Sequence, residues 1–196
     1  MQSITINTST LKVSIVIVVL ASFCGAMTSA FVSERGKVHS MISNRLAVQE
    51  VEGFIAYHNP GISPELRRGR AELVVEAAYA NNLPPTLVAS VFAVESTFDC
   101  RRVSHAGAIG CMQIMPMWAG IAPGVERVSD LYSPDINIKA GAWILRYMLE
   151  RCGSEKMFAC YEAGERAASD NFTDTGYTDK VERVRWNRQS RLVGGV

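Results

Sequence analysis

Apolar residues recur at helical intervals through most of this chain, and no strand is convincing beyond a short irregular hairpin. A first pattern runs from about Ser40 to Tyr57, with Ile42, Leu46, Val51, Phe54 and Ile55 on one side. The break His58 to Ile62 follows. Ser63-Pro64-Glu65 then sets a helix start, with a hydroxyl cap, proline in the first turn and an acid at the positive helix end. That helix should turn Leu66, Leu73, Val74, Ala77 and Ala78 inward and stop near Asn81-Asn82. Pro84 and Pro85 open the next, whose face of Leu87, Val88, Val91 and Phe92 runs to Glu95 or a little beyond.

Periodicity is lost from Arg101 to Gly110, where small, polar and glycine residues predict a loop or a short irregular hairpin. Gln113 to Trp118 suits a short helix, and the segment to Tyr132 is a connection of mixed character. Ser133-Pro134-Asp135 repeats the helix start, followed by Ile138, Ala142, Leu145, Met148 and Leu149 at helical spacing. Gly153 ends that helix, and Ser154 caps a shorter one through Met157, Phe158 and Tyr161 to Gly164. After a polar loop over 168–175, a last helix from about Asp179 to Arg188 sets Lys180, Arg183, Arg185 and Arg188 around Val181, Val184 and Trp186. Those basic residues suit a solvated face, or contact with an anionic surface. The fold class is therefore mainly α.

With 196 residues, 48% hydrophobic and 20% charged, the chain suits one globular domain plus short attachments. Beyond residue 30 it holds 19 basic against 19 acidic residues, a balance that argues against nucleic acid as a partner. From Val13 to Val32 nothing is charged, and Lys12 stands just before. This segment reads as an export signal cleaved after Ala30, or as an uncleaved anchor long enough to span a bilayer. A lipoprotein signal fits poorly, because bulky Phe23 precedes Cys24. The expected division is 1–32 signal or anchor, 33–62 linker and N-terminal helix, 63–188 main folded domain and 189–196 flexible tail. The domain is expected in the periplasm or cell envelope.

Outside the export segment stand Cys100, Cys111, Cys152 and Cys160, an even number that suits disulfides in an exported domain. Short loops favour Cys100 with Cys111 and Cys152 with Cys160, while buried free thiols remain the alternative. Without CxxC spacing, and with His39, His58 and His105 scattered, neither a metal nor another cofactor is expected.

Chemistry centres on Glu95, a carboxylate at the end of an apolar helix. Burial there disfavours the charged form and raises the pKa, which a general acid near neutral pH requires.

The run Val94 to Ala119, VESTFDCRRVSHAGAIGCMQIMPMWA, resembles the soluble lytic transglycosylase family, whose domain is similar to goose-type lysozyme. Matching positions are Glu95-Ser96, Ser104 nine residues on, and Gly107 to Pro116 without insertion or deletion. Further blocks follow in order: Leu131, Pro134, Asn137, Gly141 and Ala142, then Tyr161-Glu162-Ala163-Gly164, then Tyr177 before Lys180-Val181. Cys111 stands where the family has Leu, and Glu162 where it has Asn.

The resemblance implies a goose-type lysozyme-like single domain with a small irregular hairpin beside the cleft. It also implies cleavage of the β-1,4 bond between N-acetylmuramic acid and N-acetylglucosamine in peptidoglycan strands, with 1,6-anhydro ends. Glu95 would act as general acid and then base. Ser104, Met112 and Gln113 would bind saccharide, and Tyr161 would place its hydroxyl near Glu95. Ser96, Glu162 and Tyr177 are candidate modulators: Ser96 to cap or bind, Glu162 to face away or raise the working pH through a second carboxylate. A lysozyme-like hydrolase, with Asp99 as second carboxylate, is the alternative, and an inactive wall-binding component a further one. Asp99 is otherwise expected to tie the loop backbone. Small exported enzymes of this type serve secretion, conjugation or phage infection.

Overall fold

Proline and hydroxyl punctuation decides where the helices begin. The computed structural model describes residues 37–168 and 175–193, with side chains in the last segment as far as Arg185. The chain divides into two units, Met1–Arg45 and Leu46–Val196. In the first, the described residues 37–45 are helical and exposed, Ile42 included. The export segment lies outside the described residues, and among those described no helix is long and apolar enough to cross a membrane.

In the second unit, helical residues 46–58 (α1) bury Ala47, Val48, Val51, Phe54 and Ile55. Leu46, expected with them, is exposed, because at 3.6 residues per turn it falls about 140° round the helix from Val51. α2, Pro64–Ala80, starts as expected, with the Leu66 N–H donating to the Ser63 hydroxyl oxygen. Its buried face is Ala71, Val74, Val75, Ala77 and Ala78, which leaves Leu66 exposed on the flank rather than inward. α3, Pro85–Ser96, buries Leu87 through Ala93 without a break and so lies inside the domain.

α3 ends abruptly. Thr97 and Phe98 both adopt left-handed backbone, with φ 52° and 65°. For non-glycine residues this costs on the order of 1–3 kcal/mol each, and the surroundings must hold it. They do: Asn59 Nδ2 donates to the Thr97 carbonyl at 2.8 Å, and the Phe98 ring lies between Phe54 and Phe92.

The expected irregular hairpin follows, made by isolated bridges of Ile109 with Val103 and with Ile114. Short 3-10 turns at Pro116–Trp118 and Val128–Tyr132 lead into α4, Pro134–Ala163. α4 is kinked at Gly153, φ 76° and ψ 170°, where the spacing predicts one helix to end and another to begin. Cys100 is bonded to Cys111 and Cys152 to Cys160. A 3-10 turn at Glu165–Ala168 and helix α5, Tyr177–Val193, complete the domain, and the side chains of Trp186 and Arg188 lie outside the described residues. The class is mainly α, as the pattern predicts.

Candidate active site

α3 delivers Glu95 in its last turn, next to the left-handed pair that turns the chain away. Burial, as the largest influence, pushes the Glu95 carboxyl up from the ordinary 4.5 to about 7. The Tyr177 hydroxyl opposes this by donating to Glu95 Oε1 at 2.5 Å. Glu162 raises the value again, and Arg102 and Lys180 lower it. α3, α4, α5 and the hairpin loop all therefore bear on one carboxyl group.

Of the two tyrosines, Tyr177, expected only as a modulator, makes the direct bond, while Tyr161 stays close enough to feel the Glu95 charge. Tyr177, from α5, touches Glu95 directly, whereas the Tyr161 hydroxyl, from α4, donates to the Met112 carbonyl at 2.9 Å. Burial first, and the Glu95 charge second, hold both phenols well above their usual range. Neither ionises near neutrality, so each remains a donor.

Met112 differs from expectation. Its side chain is fully buried, and a Cβ on Gly141 would come within 2.5 Å of Met112 Cβ, so it is core rather than cleft wall. What Met112 offers the site is backbone. Its N–H donates to Asn137 Oδ1 at 2.8 Å, and Asn137 Nδ2 donates to the carbonyls of Ile109 and Leu131 at 2.9 and 2.8 Å. Fully buried Asn137 is thus satisfied three times and ties the hairpin, the 128–132 turn and α4 together. Sequence reading places Asn137 in a motif but gives it no part. The signal was there: an amide directly before Ile138, where α4 turns its apolar face to the core, must find buried partners.

Ser96 is buried and donates to the Cys111 carbonyl at 2.7 Å. It clamps the end of α3 to the hairpin and does not face a ligand. Ser104 is half-buried; its oxygen accepts from the Ala108 N–H at 3.0 Å, which leaves its proton for another acceptor. Gln113, with φ 49°, donates to the carbonyls of Gly110 and Arg102 at 2.9 and 3.1 Å. Its amide oxygen has no donor among the described residues. Gly110 has φ +81°, and a Cβ there would fall 2.4 Å from Asn137 Nδ2, so only glycine fits.

Glu162 is exposed and accepts a hydrogen bond from Thr175, just ahead of α5. It raises the Glu95 value even so. Asp99 accepts from the Arg101 backbone N–H at 3.2 Å and from its Nε at 3.0 Å, which holds its carboxyl below the usual range and ties the loop as expected. Arg102, not singled out in the sequence, and Lys180, expected there only as a basic helix residue and a motif position, supply the positive charges that favour the Glu95 carboxylate. No cluster of three or more metal-binding side chains occurs among the described residues.

A family model described as "Transglycosylase SLT domain" matches residues 72–184. A "Transglycosylase" of Enterobacteria phage PRD1 is 35% identical over 111 residues, covering 56% of this chain and 40% of the phage protein. "Membrane-bound lytic murein transglycosylase C" of Actinobacillus pleuropneumoniae serotype 5b (strain L20) is 29% identical over 128 residues, covering 57% and 35%. "Soluble lytic murein transglycosylase" of Escherichia coli (strain K12) is 31% identical over 90 residues, covering 42% and 14%. The chain thus spans less than half the length of each of these relatives.

Proposed function

Because the chain belongs to the transglycosylase SLT domain family, we propose that it cleaves the β-1,4 bond between N-acetylmuramic acid and N-acetylglucosamine in peptidoglycan and leaves 1,6-anhydro ends. The observation that carries this reading is Glu95: a carboxyl raised to about 7 by burial and held by the Tyr177 hydroxyl.

Near neutral pH such a group is protonated often enough to donate and ionised readily enough to accept. Glu95 first gives its proton to the leaving glycosidic oxygen as the bond to the muramyl anomeric carbon breaks. The resulting carboxylate then takes the proton of the muramyl 6-hydroxyl while that oxygen closes on the anomeric carbon. No water is consumed. Tyr177 steadies the carboxylate formed between the two steps, and Tyr161 fixes the Met112 carbonyl. Ser104 and Gln113, each with unused hydrogen-bonding capacity, line the saccharide cleft. Residues 63–188 carry the catalytic domain, α5 runs on to Val193 into the segment expected as a tail, and 1–32 serve as signal or anchor.

A retaining hydrolase needs a second carboxylate about 5 Å away as nucleophile. Asp99 is engaged by Arg101, which disfavours it for that part. Glu162 alone, among the described acids, bears on Glu95, and this keeps hydrolysis as the second reading. Two disulfides, which persist outside the reducing cytoplasm, support a cell-envelope location. The murein named in relatives of this chain supports the glycan strand as substrate, and the phage relative supports a place in an assembly that opens a local gap in the wall, whether for secretion, conjugation or infection.

Mass analysis of digested peptidoglycan tests the reading. Transglycosylation yields muropeptides one water lighter and without a reducing end, and Glu95→Gln abolishes their release. Reducing-end products would establish hydrolysis instead, and unchanged release by Glu95→Gln would remove Glu95 from the mechanism.

A further inference from the structure

A cavity of about 600 Å³ opens where the 59–63 turn and α2 meet the 98–101 turn, and Glu95 is not among its lining residues. Its volume lies in the range of small-ligand sites. The wall carries two guanidiniums, Arg70 and Arg101, against one carboxylate, Asp99. Arg101 is already committed, with its Nε and Nη2 3.0 and 3.4 Å from the two Asp99 oxygens.

Arg70 is not committed. It is half-buried, and no acceptor among the described residues bonds its guanidinium, although Asp99 attracts it and Arg101 repels it. Burial, the largest influence, holds its pKa below the usual arginine range. One turn earlier on α2, at the neighbouring i−3 position, the Arg67 Nε is buried without a hydrogen-bond partner. Five donors on a partly desolvated planar cation form a fork made for a carboxylate, which takes two parallel hydrogen bonds. Beside Arg70, Ile62 and exposed Leu66 offer apolar contact. Asn59 has spent its amide N–H on the Thr97 carbonyl, so its Oδ1 can accept a peptide N–H.

We propose that this cavity binds the short stem peptide that peptidoglycan carries on muramic acid, with the terminal carboxylate on Arg70, a small apolar side chain against Leu66 and a peptide N–H on Asn59. The inference rests on the reading of peptidoglycan as substrate. It assigns the cavity to the peptide because its uncommitted group is a cation and glycan hydroxyls are neutral. Phe98 and Asp99 follow Glu95 by only three and four residues, so the cavity borders the turn just past the helix that carries the acid. The enzyme then prefers peptide-bearing strands to bare glycan.

Calorimetry of the free stem pentapeptide with the full chain carrying Glu95→Gln tests this without turnover. The acid-terminated peptide should bind about tenfold or more tightly than its C-terminal amide, and Arg70→Gln should remove that difference. Arg70→Lys should retain part of it, and thermal melts should match for all three proteins. Equal affinity for acid and amide, or an advantage that survives Arg70→Gln, would overturn the proposal. In the wild-type background, Arg70→Gln should lower the rate on peptide-bearing peptidoglycan and leave the rate on peptide-free glycan unchanged. Because the peptide assay requires no bond cleavage, anhydro products without peptide binding would sink this inference alone. Peptide binding without anhydro products would support the site and overturn the transglycosylase reading.

Discussion

Replacing Glu95 by Gln should make the protein more stable, and only above a particular pH. In the folded chain the carboxyl titrates at about 7 instead of the ordinary 4.5. Between those values the folded state holds a proton that the unfolded chain releases, so stability falls as pH rises through the window. Each pH unit across it is worth about 1.36 kcal/mol, which makes the full loss about 3 kcal/mol above pH 7. Below pH 4.5 the group is neutral in both states and costs nothing. Gln is neutral throughout, and its amide oxygen can still accept from Tyr177.

Urea titrations of both proteins at pH 4 and pH 8, with disulfides intact, read the effect. Every other titrating group is common to the pair and cancels in the difference. The advantage of Glu95→Gln should grow by about 3 kcal/mol from the lower to the higher pH, with the same slope against urea. A constant difference at the two pH values would refute the buried-carboxyl account of this site, whatever the activity of the variant. If the difference grows, Glu95 is a residue kept at a cost in stability for its chemistry.

Four further outcomes follow from the same geometry. Tyr177→Phe removes a donor that favours the carboxylate and should move the alkaline limb of kcat/KM up by about one pH unit, with a lower plateau. Glu162→Gln keeps an acceptor for Thr175 but removes a like charge, so it should move that limb down by less than about one unit and less still at high salt; shifts of the same sign would contradict the assigned influences. Asn137→Ala strands the Met112 N–H and the Ile109 and Leu131 carbonyls, and denaturation should show a loss of about 3 kcal/mol or more, whereas less than about 1 would mean that the amide is not the tie described. Gly141→Ala drives a methyl into Met112 and should cost about 1–3 kcal/mol by the same measurement, with no cost if the loop gives way freely.

Much of the fold was legible because its punctuation is chemical. Ser63-Pro64, Pro84-Pro85 and Ser133-Pro134 mark three helix starts, and Gly153 marks the kink in α4. The end of α3 was harder to read. Thr97 and Phe98 take left-handed backbone without a glycine to announce it, held by Asn59 from 38 positions earlier and by the rings of Phe54 on α1 and Phe92 within α3. Local propensity has no access to such support. Ile42, Leu46 and Leu66 looked inward because apolar spacing tolerates a wide stripe, and only the packed neighbours decide its edges. For the site, Glu95 was readable from its place on an apolar helix. Which tyrosine meets it was not, since Tyr161 and Tyr177 both precede the end of the domain and the choice depends on how α5 docks. Met112 lies beside Gln113 in one motif, yet a one-residue step sends its side chain into the core.

Glu95 and the hydroxyl it accepts from are 82 positions apart. A ribosome that has made all of α3, the hairpin and α4 has made a chain that holds the acid without its donor. Residue 177 must leave the ribosome before the pair can exist, so the group on which the proposed chemistry depends is completed only once α5 has been made, and a chain cut short before α5 would carry the acid without the phenol that donates to it.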